Sequence, residues 1–152
     1  MMSGYRAFGL RMLGWLVASA VTLLSSACLS STSPEPSVIE LAGDWSYAGV
    51  QTQPVRQTLT GTLTVSRESG SSFQGRLDLV ETDEQSGQST VLGGLVSGSE
   101  SGASVIDFDA NLESVRRHVG QIVADTITGT WVGAATDGSM SSGTFRAERA
   151  TK

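Results

Sequence analysis

The sequence predicts an all-β domain, an eight-stranded antiparallel up-and-down barrel that follows an N-terminal export signal. Three observations carry this. First, seven segments place a glycine two positions before a large apolar residue: "LAGDW" (41–45), "LTGTL" (59–63), "FQGRL" (73–77), "LGGLV" (92–96), "HVGQI" (118–122), "ITGTW" (127–131) and "SSGTF" (141–145). In six of the seven, the residue two before the glycine is Leu, Phe, Ile or His. Residues i and i+2 share one face of a strand, so each segment turns an apolar–Gly–apolar face one way and polar residues the other. Second, the intervals are rich in Gly, Ser and Asp, the residues of turns. Third, no segment sustains a 3.6-residue period.

Strands are expected at 44–50 from "LAGDW", 57–67 from "LTGTL", 72–81 from "FQGRL" and 90–98 from "LGGLV". The fifth, 103–110, has no glycine of this kind but alternates Ile106 and Phe108 against Val105, Asp107 and Asp109. The last three are expected at 115–124, 125–133 and 142–149. Between them "RESGSS" (67–72), "ETDEQSGQS" (81–89), "SGSESG" (97–102) and "ATDGSMSSG" (135–143) read as turns, with 81–84 a charged hairpin tip. In "NLESVRRHVG" (111–120) the spacing of Leu112, Val115 and Val119 predicts a helical first turn. Closing eight hairpin-linked strands into a barrel removes both exposed edges. Inward glycines relieve crowding and let strands bend. A barrel of this size is either filled by its side chains or holds one small ligand, and the sequence leaves both open.

"LAGDW" at the head of an eight-strand meander resembles the G-x-W start of the calycins, the superfamily of lipocalins and avidins. The resemblance covers about 41–149 and implies a lipocalin-like barrel in which an arginine near the last strand packs across the tryptophan. Trp45 and Arg149 match those two positions and would close one end of the barrel. It also implies a small apolar or amphipathic ligand as one kind of partner. Biotin binding is not implied, because only Trp45 and Trp131 remain beyond residue 27.

Residues 1–27 read as a signal peptide: Arg6 and Arg11, an apolar run over 12–24, then Ser25, Ser26 and Ala27. The run is too short to cross ~30 Å of hydrocarbon as a helix. The chain's one cysteine, Cys28, follows, and "S-A-C" resembles the lipobox of bacterial lipoproteins. That resemblance implies a diacylglyceryl group on the Cys28 sulfur, cleavage before it, and a further palmitate-type chain on the new amine. Two or three acyl chains anchor a domain stably where one does not. The implied partner is then a lipid bilayer. The implied location is the cell envelope, with Leu29 in place of Asp favouring an outer membrane if the cell has one. Residues 28–40, with "LSSTSPEPS", are expected to be an extended tether, and 41–149 the barrel.

Eight of the ten basic residues and all fifteen acidic ones lie beyond residue 27, a net charge of −7 that argues against nucleic acid. His118 is the only histidine, so neither a His/Cys metal cluster nor a nucleophile–His–Asp set is expected, and no cofactor. "DFDANLE" (107–113) has calcium-loop spacing at Asp107, Asp109 and Asn111 but Leu112 where the loop needs glycine. It reads as a solvated strand face. The candidate ligand-binding residues are His118 and Arg116, expected on one inward face near a barrel end, with Trp45 and Trp131. A core histidine bonded to a loop carbonyl is the structural alternative. Two non-enzymatic readings follow: an envelope lipoprotein whose barrel binds a small apolar or amphipathic ligand, or a solid barrel that binds or inhibits another envelope protein.

Overall fold

A computed structural model describes residues 40–151 apart from 103 and 135–137. The signal peptide, Cys28 and all of the tether but its last residue, Glu40, lie outside the described residues. The described residues all fall within one compact unit. Eight strands run in order: β1 Gly43–Gln53, β2 Gln57–Ser69, β3 Ser72–Asp83, β4 Ser89–Ser101, β5 Val105–Asn111, β6 Val115–Val123, β7 Thr126–Ala134 and β8 Met140–Arg149. Each pairs antiparallel with its sequence neighbour, and β1 pairs with β8, so the sheet closes into an up-and-down barrel of lipocalin-like topology.

The expected alternation sets the wall. On β3 and β6, every second residue is buried over most of the strand. Trp45, Leu63, Leu77, Phe108, Ile122, Trp131 and Phe145 all turn inward, none more than 4% exposed. Rings from five strands meet across the lumen. Tyr47 of β1 stacks on Phe145 of β8 at 5.6 Å between centroids. Phe145 contacts Phe108 of β5 edge-on at 5.9 Å, and Phe108 contacts Phe73 of β3 at 6.0 Å. His118 of β6 stacks on Phe108 at 4.4 Å. The lumen is therefore packed where these rings lie, not hollow.

Inward glycines let neighbouring backbones approach more closely than any Cβ allows. A Cβ on Gly61 would stand 1.9 Å from the Asp78 carbonyl oxygen of β3. This is the tight coiling that a small barrel needs.

One expectation fails in this region. Residues 112–114 form a bend instead of a helical turn. Only three residues separate β5 from β6, and Val115 and Val119 face outward, 53% and 43% exposed. Leu112 alone packs against the core, so its spacing to the two valines is coincidental.

One end of the barrel is plugged by the chain entering β1. Trp45 pairs in register with Leu63 on one side and Arg149 on the other. The Arg149 guanidinium carbon lies 4.4 Å from the centre of the Trp45 ring. Arg149 also donates to the Ala42 carbonyl at 3.0 Å and to Asp125 at 3.0 Å. The Trp45 indole N–H donates to the Leu41 carbonyl at 2.9 Å, and the Glu68 carboxylate accepts from the Leu41 amide at 2.9 Å. Gly43 turns the chain here at φ +126°, a conformation that side-chain-bearing residues rarely adopt.

Trp45→Ala removes a fully buried side chain and is expected to cost ~3–5 kcal/mol. Arg149→Ala is expected to cost ~1–2 kcal/mol through lost stacking and packing. Neighbours in contact couple non-additively. Denaturant unfolding of both single variants and the double variant checks this. A Trp45→Ala midpoint equal to that of the parent protein would contradict the plugged end.

Candidate functional site

The end opposite Trp45 is built differently. The inward rows of β1, β3, β6 and β8 run out there in polar residues: Gln51, Glu81, Arg116 and Ser141, all buried. They line a vestibule of about 220 Å³, with Pro54 and Val55 on one side and Glu113 on the rim. Register explains the grouping. Arg116 pairs with Gly133 of β7, and Gly133 pairs with Ser141 of β8.

The Arg116 side chain crosses the space that Gly133 leaves open; a Cβ there would stand 2.9 Å from Arg116 Cγ. It forms an ion pair with Glu81 across the barrel, both side chains about 10% exposed. Its guanidinium carbon lies 4.8 Å from the centre of the Trp131 ring. Three buried polar atoms in this neighbourhood have no hydrogen-bond partner among the described residues: Arg116 Nε, Trp131 Nε1 and Ser141 Oγ. An unpaired buried polar group costs about 1–3 kcal/mol, so their clustering at one end is a local departure from a well-satisfied barrel.

His118 lies below this layer in the middle of the lumen, not near the barrel end expected from sequence. It occupies the inward position next to Arg116 on β6 and pairs with Phe108 and Trp131. Its Nδ1 lies 3.0 Å from the Arg116 carbonyl oxygen and its Nε2 lies 3.2 Å from the Tyr47 hydroxyl. The carbonyl only accepts, which assigns the proton to Nδ1; Nε2 then accepts from the Tyr47 hydroxyl. Burial pushes the imidazole down to about pKa 4, and the Arg116 charge adds to the shift. Burial likewise raises the Tyr47 hydroxyl far above its ordinary value. Both groups are neutral at pH 7.

Of the four sequence candidates, the structure brings three together. Arg116, Trp131 and His118 are contiguous, with 6.3 Å between the His118 and Trp131 rings. Trp45 is at the other end. Glu81 is a correction: it is not part of a charged hairpin tip but turns inward and pairs with Arg116. It shares the parity of Leu77 and Leu79, so counting by twos along β3 would have found it; Gln51 follows Trp45 and Tyr47 in the same way. Asp107, of the calcium-like segment, is on the outer wall with Arg117, whose hydrogen bonds hold its carboxyl below the usual range.

The fold and this site define a small closed eight-stranded antiparallel barrel, capped at one end and polar at the other. It is similar to two solved structures. One is EF1p2_mFAP2b bound to DFHBI, with TM-score 0.59, 13% identity, and 72% of this chain and 94% of that one covered. The other is the redesigned beta barrel mFAP1 bound to DFHBI, with TM-score 0.55, 14% identity, and 72% and 94% covered. At these identities the likeness is one of fold. No protein-family model and no curated protein matches the sequence.

The depressed His118 pKa makes stability depend on pH with a definite sign. Below about pH 6.5 the unfolded chain takes up a proton that the folded barrel refuses until about pH 4. Stability is therefore expected to fall by roughly 1.4 kcal/mol per pH unit as pH drops through that window. Denaturation midpoints of the parent protein should decline between pH 7 and pH 5, while His118→Gln should be flatter over the same range. A flat parent profile would contradict the buried neutral imidazole.

Proposed function

We propose that this is a lipid-anchored, non-enzymatic lipoprotein of the cell envelope whose solid barrel binds a protein partner through its outer wall. The observation that carries the reading is the ring contact across the lumen, from Tyr47 and Phe145 through Phe108 to Phe73, which leaves recognition to the exterior.

The outer wall has a surface suited to this. A groove of about 500 Å³ crosses the wall from β2 to β6, lined by Leu95 and Val115 beside Ser66, Gln74, Asp109 and Asn111. Leu95 is 69% exposed, and Val91, on the same face of β4 and opposite Val80, is 79% exposed. An apolar centre with polar surroundings is the make-up of a protein interface. A closed barrel offers no free edge, so a partner cannot add a strand and must dock on these side chains. The anchor rests on the "S-A-C" resemblance at Cys28, and an outer membrane on Leu29 after it. The reading without enzymatic activity rests on His118, whose two ring nitrogens are already engaged. A small-molecule reading is favoured at one place, the vestibule.

The test uses the full chain expressed in a bacterium that processes lipoproteins, with a photo-crosslinking residue at position 95 or 115 and, on the far wall, at 146. Positions 95 and 115 should give the same discrete protein adduct and 146 should not. Cys28→Ala should leave the membrane fraction and lose the lipid mass. Equal adducts at all three positions, or none, would contradict the docking wall. Unchanged mass and membrane association would contradict the anchor.

A further inference from the structure

We propose that the vestibule at the open end is a binding site for a small uncharged polyol, between glycerol and a monosaccharide in size. The inference stands apart from the outer-wall reading, since the two use opposite faces of the strands.

It starts from the unpaired groups. Arg116 Nε, Trp131 Nε1 and Ser141 Oγ are buried and have no partner among the described residues. Arg116 and Ser141 line the vestibule. Trp131 lies one inward position deeper on β7, paired with Gly143. The site is built, because the Arg116 side chain is about nine-tenths buried and is fixed from two sides by Glu81 and by the Trp131 ring.

Charge then selects the ligand. An anion would meet Glu81 and, at the rim, Glu113. A cation would meet the Arg116 guanidinium. A hydroxyl group satisfies both, accepting from an N–H while donating to a carboxylate or to the Gln51 carbonyl oxygen. Gln51 holds its own amide to the Val55 carbonyl at 3.0 Å, which leaves that oxygen as an acceptor. The vestibule, at about 220 Å³, has the bulk of about seven waters at ~30 Å³ each. That suits a molecule with several hydroxyls.

The two barrel tryptophans supply the test. The Trp45 indole N–H is bonded to the Leu41 carbonyl at the far end, so it reports on the fold and not on the site. The purified protein in detergent micelles is titrated with glycerol, ribose and glucose, and with acetate and methylammonium as charged comparators. The indole N–H resonances are followed by ¹H–¹⁵N NMR, with Trp131→Phe for assignment. At least one polyol should shift the Trp131 resonance saturably and leave Trp45 in place. Ser141→Val, which replaces the unpaired hydroxyl with methyl groups, should weaken that binding by about tenfold or more with the Trp45 resonance unchanged. No saturable shift with any polyol, a shift with the charged comparators only, or an equal shift in Ser141→Val would each overturn the proposal.

Discussion

The structure depends on one steric constraint: the large rings that fill the lumen need glycines opposite them. A Cβ on Gly98 would stand 2.4 Å from Phe108 Cβ and 2.6 Å from Phe73 Cζ. One on Gly129 would stand 2.8 Å from Phe145 Cε1, and one on Gly143 would stand 2.8 Å from the Trp131 indole nitrogen. Side chains pack in such interiors at crystal-like density, so a single added methyl is felt. The glycine repeat and the aromatic column are therefore one arrangement seen twice. Glycine supplies room and curvature, and the ring takes the room. This is why a short chain without an internal disulfide can build a continuous core in a barrel of only eight strands.

The two ends of that core are unequal. At the Trp45 end, Glu68 and Arg149 satisfy the incoming backbone at Leu41 and Ala42, and the Leu41 carbonyl accepts from the Trp45 indole. At the other end an ion pair is buried beside donors that nothing among the described residues satisfies. Taking two charges out of water costs about as much as their attraction returns. A pair placed at the mouth of an otherwise apolar core is thus poorly explained by stability alone. Between the ends, Tyr47 and His118 form a neutral, mutually satisfied link that fixes ring orientation without charge.

The period-2 pattern made most of the fold legible. Each expected strand is present to within a few residues, because one face is buried and a one-residue slip would expose it. "SVIDFDA" was readable even without a glycine because Ile106 and Phe108 still alternate with Asp107 and Asp109. The placement of Arg149 opposite Trp45 follows from closure, since β1 and β8 must pair. Less legible were features set by three-dimensional filling. Glu81 sat in an acidic run, and composition outweighed parity. The depth of His118 was less legible because alternation gives the face and not the level along the barrel axis. Whether glycines mean void or packing cannot be read locally, because the answer depends on rings from strands far apart in sequence. The 112–114 bend was not legible because Leu112 alone carries an inward role there.

The packed lumen is the central claim, and binding of a small apolar probe tests it most directly. Benzene should show no saturable binding to the parent barrel. Phe145→Ala, which removes the ring between Tyr47, Phe108 and His118, should destabilise the fold by about 3–5 kcal/mol. It should also open an apolar cavity that benzene fills with a rise in melting temperature. Saturable benzene binding to the parent barrel, abolished instead of created by altering that column, would show a hollow interior and contradict this picture of the molecule.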